Sequence, residues 1–597
     1  MSRLLTAENL DISAGSGRIV HGIDFAIDRG ERVGLIGESG SGKSLTCLSL
    51  MGLLGDGLSA TGSLTLHGDT SSPETASDDL DLLNADENAF SSVRGNRMSM
   101  VFQEPMTALN PLMRVGDQVA EVIKLHRRAQ SASLPADQPN ATVEDRVLDL
   151  LDSVRIPEPA RAARVYPHQM SGGQRQRVML AMAMANGPEL LLADEPTTAL
   201  DVTVQKQVLT LMAEQVERAG SSLLFITHDL GVVSEVCDRV IIMRHGRIIE
   251  TGPIDQVFTR PEHPYTRALL AASALRTDHS SGRLLTPDTV DAAAQNQHRP
   301  AEDRLSISSS AEAGSPAAAA HLAIAEDGSA PVFNQAESPV LEVRDLTRSY
   351  GKAGFLGRGR VVEALRGVSF DVAAGQRFGI VGESGCGKST LLRLLTALDE
   401  PSSGSVRVND QAISGQRERR LRWLRQSMQI VFQDPMGSLD PRMTVVDIIT
   451  EPLWNAGRAE RLRRAKELLE QVGLPQGAAE KYPHEFSGGQ RQRIAIARAL
   501  VTRPKILIAD EAVSALDVSV RAQVLNLLDD LVDEYDLTMV FVSHDLKVVR
   551  HSCDIVAVMN AGRIVECGPA DAVFDTPKHP YTAELAAAIP RMKDNVA

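Results

Sequence analysis

Five cysteines in 597 residues, Cys47, Cys237, Cys386, Cys553 and Cys567, are too few and too scattered for a disulfide framework or a clustered metal site. Their scarcity points to a reducing compartment. Aromatic residues make up only 4% of the chain, yet 43% is hydrophobic and 23% charged, so large cores can form and wholesale disorder is excluded. Long apolar runs are missing too: stretches such as 48–54 and 178–185 fall well short of the roughly 18 residues that span a bilayer. The start, MSRLLTAENLDIS, turns polar too early for a signal peptide. Positive charge is in deficit. Lys+Arg 62 against Asp+Glu 77 leaves a formal charge of -15, which repels phosphate backbones and argues against nucleic acid as a partner. Any service to a membrane is therefore expected from the cytoplasmic side.

What the chain does contain is a duplication. GESGSGKS at 37–44 returns as GESGCGKS at 382–389, VFQEP at 101–105 as VFQDP at 431–435, and SGGQRQR at 171–177 again at 487–493. Ser171 and Ser487, Asp194 and Asp510, His228 and His544, and Tyr265 and Tyr581 all lie 316 residues apart. Upstream the separation grows to 330 at the VFQ element and 345 at the Gly-rich loop, so the first half carries insertions of 14 and 15 residues. They are expected as surface loops near 71–89 and 128–142. The chain thus reads as a first domain at 1–272, an acidic Ala/Ser-rich linker at 273–338 that should stay solvated, and a second domain at 339–597. Short apolar runs at 32–36, 190–193, 223–227 and 240–243 alternate with helical patterns, which predicts a parallel α/β sheet. The helical stretch at 104–184 interrupts them as an inserted subdomain.

Gly37, Ser39, Gly40, Gly42, Lys43 and Ser44 follow an apolar strand and open a helix predicted over 45–54, the context that a phosphate-binding loop requires. The glycines let the backbone wrap a triphosphate so that N–H groups and the helix N-terminus meet its oxygens. Lys43 would reach the β- and γ-phosphates and Ser44 would ligate Mg²⁺. Gly382, Ser384, Gly385, Gly387, Lys388, Ser389 and Thr390 repeat the loop. Two carboxylates close the strand LLLADE, and divergence of successive strand side chains assigns Asp194 to the metal and Glu195 to the attacking water. Asp510 and Glu511 do the same in the second half. His228 and His544 end the next strand on the rim where ligands bind, within reach of a γ-phosphate. Ser171, Gly172, Gly173 and Gln174, like Ser487, Gly488, Gly489 and Gln490, would put a serine and free backbone N–H groups at a helix start. That suits an anion, but an ordinary N-cap has the same local structure, and the sequence leaves both readings open.

Together GESGSGKS, VFQEP, MSGGQRQR, LLLADEP, TTALD and THD resemble the nucleotide-binding domains of ATP-binding cassette (ABC) proteins over nearly the whole of both halves. The resemblance implies two P-loop ATPase domains, each an α/β core with antiparallel β and helical subdomains. It also implies an intramolecular head-to-tail dimer with ATP sandwiched between one loop and the other half's SGGQ. Site one would join Lys43, Ser44, Gln103, Asp194, Glu195 and His228 to Ser487, Gly488 and Gly489; site two would join Lys388, Ser389, Gln433, Asp510, Glu511 and His544 to Ser171, Gly172 and Gly173. Gln103 and Gln433 would serve metal, catalysis and contact with the membrane partners, and Asp201 and Asp517 would touch the opposite site. Tyr350 fits the aromatic that stacks on adenine, whereas Ala14 stands at the matching place in the first half, which predicts weaker binding there. Cys386, beside Lys388 at a helix N-terminus, reads either as a thiolate-prone residue or simply as a small residue where the other loop has Ser41.

The tail RPEHPYT at 260–266, repeated as TPKHPYT at 576–582, is a proline turn entering a helix. It resembles the ATPase subunits of oligopeptide, dipeptide, glutathione and nickel importers, usually two chains and here fused. The resemblance implies two permeases and an extracytoplasmic solute-binding protein as partners, and a peripheral location on the cytoplasmic face of the inner membrane. Peptide import leads, with nickel-chelate, glutathione or other solute import as alternative. An ABC-F-type translation ATPase is a lesser one, disfavoured because an acidic linker is repelled by RNA. Since no cysteine follows either tail, no iron–sulfur cluster is expected. The basic stretch QRERRLRWLR at 416–425 reads as a helix, either near permease or lipid or as a solvated face.

Overall fold

The computed structural model describes residues 2–15, 17–68, 79–103, 108–126, 142–197, 200–277, 283–286, 339–351, 361–514 and 516–589. They fall into two compact units that divide between Ser273 and Ala274. The first contains β1 (Arg3–Ala14), β2 (Gly17–Asp28), β3 (Arg32–Gly37), α1 (Lys43–Leu50), β4 (Leu58–Leu66), β5 (Leu80–Asp81) and β6 (Met98–Val101). It continues through α2 (Gly172–Met184), β7 (Leu190–Asp194), α3 (Val202–Ala219), β8 (Ser222–Thr227), β9 (Arg239–Arg244), β10 (Arg247–Pro253) and α4 (Pro264–Ser273).

A sheet in the order β10-β9-β3-β8-β7-β6 forms the base of this unit. It is parallel except for the antiparallel edge strand β10. Every residue of β7 and β8 is buried, as expected where both faces of a parallel sheet are covered. The four expected strands are present as β3, β7, β8 and β9. An antiparallel sheet, β2-β1-β4-β5, shares one core with it: Leu4, Leu10 and Leu64 pack in the same cluster as Leu190, Leu224 and Ile241. Between β6 and β7 the chain forms helices at Val115–His126, Val143–Ser153 and Pro159–Ala162 before α2, the inserted helical subdomain. Residues 71–78 and 128–141 of the two insertions lie outside the described residues. The rest of the first insertion is not simply loop: it supplies β5 and begins a helix at Glu87–Val93, which Asp86 caps.

The second unit repeats the plan with β11 (Leu341–Tyr350), β12 (Val362–Val372), β13 (Arg377–Val381), α5 (Lys388–Leu395), β14 (Ser403–Val408), β15 (Gln411–Ala412) and β16 (Met428–Val431). Then come α6 (Gly488–Leu500), β17 (Ile506–Asp510), α7 (Val518–Glu534), β18 (Thr538–Ser543), β19 (Ile555–Asn560), β20 (Arg563–Pro569) and α8 (Pro580–Ala588). Its sheets run β12-β11-β14-β15 and β16-β17-β18-β13-β19-β20, the same order strand for strand.

Two sequence expectations need correction. The linker is not solvated throughout: Leu284 is 1% exposed, and its backbone exchanges hydrogen bonds of 2.9 Å with the Asn526 amide on α7. Arg283 pairs with Asp530 at 2.6 Å, and Leu285 N donates to the Arg276 carbonyl at 2.9 Å, so this short stretch docks with backbone groups satisfied. The rest of the expected linker, 278–282 and 287–338, lies outside the described residues. Residues 416–425 do not form one helix but a 3₁₀ turn at Glu418–Arg420 followed by a short helix at Arg422–Ser427. Leu421 and Leu424 are buried, and Arg425 turns inward to the Thr396 and Ala397 carbonyls just beyond α5.

Candidate active sites

The loop between β3 and α1 is shaped by close packing. A Cβ on Gly37 would lie 2.3 Å from the Met243 carbonyl oxygen, and one on Gly42, at φ +97°, would lie 2.7 Å from Val20. Gly382 and Gly387 repeat this against Met559 and Ala364, and Gly40 and Gly385 adopt positive φ. Only glycine fits such a cradle. The helix predicted over 45–54 begins instead at Lys43 and ends at Leu50, and α5 likewise begins at Lys388. Lys43 and Lys388 are buried, and each ammonium donates to two carbonyls of its own loop: Lys43 to Gly37 and Glu38 at 2.8 and 2.9 Å, Lys388 to Gly382 and Glu383 at 2.6 and 3.0 Å. Ser44 Oγ donates to Asp194 Oδ1 at 3.1 Å, which brings the two expected metal ligands of the first half together. Burial raises the Asp194 pKa despite that bond, and burial followed by the charge of Glu511 pushes Asp510 up to about 6.

Glu195 and Glu511 lie one residue past the ends of β7 and β17, at φ +44° and +47°. Strand alternation is therefore not what separates each from its preceding aspartate. A left-handed backbone, uncommon for a residue with a side chain, turns it aside, held by amide bonds to the Ile226 and Val542 carbonyls. The glutamine and histidine meet on that carboxylate. Gln103 Nε2 donates to Glu195 at 2.9 Å and Gln433 to Glu511 at 2.8 Å; His228 and His544 approach through Nδ1 at 3.3 and 3.0 Å. Burial works to raise the Glu511 pKa, but the His544 hydrogen bond and charge, with Lys388, outweigh it and hold the carboxylate below its ordinary value. An ionised carboxylate in this setting suits a general base.

Ser171 and Ser487 are helix N-caps. Each accepts from the amide of Gln174 or Gln490, whose side chain accepts in return from the serine amide, a reciprocal capping box at the start of α2 and α6. The N-cap reading of the signature is thus realised, with both serines exposed. Gly172 and Gly488 have open surroundings, whereas a Cβ on Gly173 or Gly489 would meet Val204 or Val520 at 2.4 or 2.3 Å. Asp201 caps α3 by accepting from Val204 N, and Asp517 is the N-cap residue of α7. Tyr350 and Ala14 both end the first strand of their unit. The Tyr350 hydroxyl donates to Asp399 at 2.8 Å and the Arg348 guanidinium lies 4.7 Å over its ring. Cys386 is 6% exposed, and burial pushes its thiol pKa up against the pull of Lys388, so the thiolate reading of this residue is corrected. Thr390 follows Ser389 in the first turn of α5, and Ser39 and Ser384 lie within the loops.

The meeting of glutamine, glutamate and histidine on one carboxylate was not readable from any one motif, because the three lie on separate loops; their recurrence in both halves was the available signal.

Comparison with known proteins agrees with this architecture. The ABC transporter family matches residues 20–198 and 365–514, and the C-terminal region of oligopeptide/dipeptide transporters matches 249–296 and 565–597. The glutathione import ATP-binding protein GsiA of Escherichia coli (strain K12) is 44% identical over 602 residues, covering 98% of this chain and 89% of that protein. The protein of the same name from Pectobacterium atrosepticum is 43% identical over 576 residues, covering 96% and 86%. A solved dimeric ATP-binding cassette bound to ADP and phosphate is 30% identical, covers 38% of this chain and 98% of its own, and gives a TM-score of 0.35. With both halves matched by the family and the relationship running almost end to end, this chain belongs to the ABC transporter family as an ATPase with two cassettes, each followed by the oligopeptide/dipeptide-transporter C-terminal region.

Proposed function

We propose that this chain is the motor of an importer for small peptides, glutathione included, that works through two separate membrane permeases and an extracytoplasmic solute-binding protein. The observation that carries this reading is the relationship to the glutathione import ATP-binding proteins, which extends over both cassettes and both tails. Among the described residues no helix is long and apolar enough to cross a membrane; on this reading the solute path belongs to the permeases. The chain then sits peripherally on the cytoplasmic face.

At each site Lys43 or Lys388 and the loop amides hold the phosphates. Ser44, Asp194 and Gln103, and Ser389, Asp510 and Gln433, are hard oxygen donors of the kind Mg²⁺ takes, and the 3.1 Å Ser44–Asp194 contact fits such a site. When bound, the ion neutralises phosphate charge. Glu195 and Glu511 accept the proton of the attacking water, while His228 and His544 and the two glutamines orient those carboxylates. The two cassettes close head to tail, so that Ser487, Gly488, Gly489 and Gln490 complete site one and Ser171, Gly172, Gly173 and Gln174 complete site two.

Affinity purification of the tagged chain from gently solubilised membranes, with partners identified by mass spectrometry, tests the reading. Two polytopic permeases and a solute-binding protein are expected, and labelled glutathione or peptide uptake should fail when the chain is deleted. Recovery of ribosomes without permeases would overturn it.

A further inference from the structure

The HPYT tail reaches the nucleotide loop. In the second unit, the backbone N–H of Glu383, the second residue of GESGCGKS, donates to the Tyr581 hydroxyl at 3.1 Å. The carbonyl of the same Glu383 accepts from the Lys388 ammonium at 3.0 Å. One residue of the loop is thus gripped from both sides, by the phosphate-binding lysine and by the tail.

The tail has its own support. Glu566 on β20 accepts from the amides of Lys578 and His579, both at 3.0 Å, and His579 Nδ1 accepts from the Tyr581 amide at 3.2 Å, fixing the turn into α8. The turn before β20 also touches the loop, through Gly562 N to the Cys386 carbonyl at 2.9 Å. The first unit shares this support, but its Tyr265 hydroxyl is buried without a hydrogen-bond partner among the described residues. Glu250 accepts from Glu262 and His263, and His263 accepts from the Tyr265 amide. Tyr265 is fully buried under the Arg244 guanidinium, 4.5 Å from the ring, and lies near Glu38, the residue equivalent to Glu383. The Tyr581–Glu383 contact spans 198 residues of sequence. They give a distinct role to a motif that otherwise looks like a plain helix start.

We propose that Tyr581 is a positioning residue for ATP: its hydroxyl fixes the Gly382–Glu383 peptide plane, whose Gly382 carbonyl accepts from the Lys388 ammonium at 2.6 Å and so aims it, and the tail thereby sets nucleotide affinity at the second loop. This rests on the site assignment made above. The test uses the full chain with its first site disabled by Lys43→Ala, and measures binding of a fluorescent ATP analogue, KM and kcat for ATP, and Tm. Tyr581→Phe keeps the ring and removes only the hydroxyl. It is expected to weaken nucleotide binding and raise KM by about fivefold, the scale of one net hydrogen bond, with Tm changed by less than about 3 °C. Glu566→Gln, which loosens the turn from the far side without touching the loop, should shift affinity in the same direction. Unchanged affinity and KM in Tyr581→Phe, with or without a fall in Tm, would reduce the tyrosine to a structural anchor and overturn the proposal. A Lys43→Ala chain that binds no nucleotide would fail earlier, at the assignment of the second site, and would take the proposal with it.

Discussion

At the scale of single residues, the two halves are near copies whose differences are local and chemical. Glu195 and Glu511 share the same left-handed backbone, the same glutamine donor and the same histidine. Glu195→Gln and Glu511→Gln together should therefore leave ATP binding intact and cut steady-state hydrolysis by about 10²- to 10⁴-fold, the range for losing a general base. Retained hydrolysis in the double variant would remove both from that role. The side expected to meet adenine differs. Tyr350 ends β11 where Ala14 ends β1, so Tyr350→Ala should cost about 1 kcal/mol of nucleotide affinity in the second half, and Ala14→Tyr should gain a similar amount in the first. Equal affinities of the two unaltered sites for a fluorescent ATP analogue would contradict that account. Both strand-end positions could be read from the sequence alone, because they depend on alignment to a local motif. The protonation of Cys386 could not, because its burial against Gly382 and Lys388 depends on how the loop closes.

At the scale of elements, one charged cluster ties the two sheets of the first unit. Glu189, just before β7, accepts from Arg97 at 2.5 Å and Arg29 at 2.6 Å, and both arginines also donate to the His67 carbonyl just past β4. Burial works to raise the Glu189 pKa, but the Arg97 and Arg29 bonds prevail and hold it below the ordinary 4.5. A lowered carboxylate pKa contributes stability above 4.5 that is lost as pH falls through the folded value. Glu189→Gln should thus cost about 1–3 kcal/mol at neutral pH, and the Tm gap to the parent should close below about pH 4.5. A gap independent of pH would show that packing, not charge, is responsible. Lys505 stands at the matching position of the second unit, so this clamp belongs to the first alone. The signature helices show another constraint. At Gly489 a Cβ would lie 2.3 Å from Val520 on α7, so Gly489→Ala should destabilise by about 1–3 kcal/mol through overpacking, measured by denaturant unfolding. Helix and strand identities here were legible, since apolar runs and capping residues are contiguous in sequence. That β5 arises inside an expected loop, and that 416–425 breaks at Leu421, were not, because both follow from which leucines the core takes in.

At the scale of the whole molecule, the proposed head-to-tail closure makes a crossed prediction. In a Glu511→Gln chain, only the site built on Lys43 can hydrolyse. Ser487→Arg should then reduce the remaining ATPase by about 10²-fold, whereas Ser171→Arg should leave most of it, because the signature that completes this site lies in the other cassette. The opposite pattern would mean that each half uses its own SGGQ. By itself the sequence determined the duplication, the two phosphate loops, the parallel core and the family, because each is written in short contiguous strings whose geometry is local: glycine freedom, strand alternation, a helix start. Tertiary structure alone decided the partners. Glutamine and histidine reach their glutamate across 92 and 33 residues, Tyr581 reaches the nucleotide loop across 198, and Leu284 finds Asn526 across 242. Such pairings, and the pKa shifts that go with them, depend on which surfaces packing brings together and strips of water, and neither is encoded at any fixed spacing along the chain.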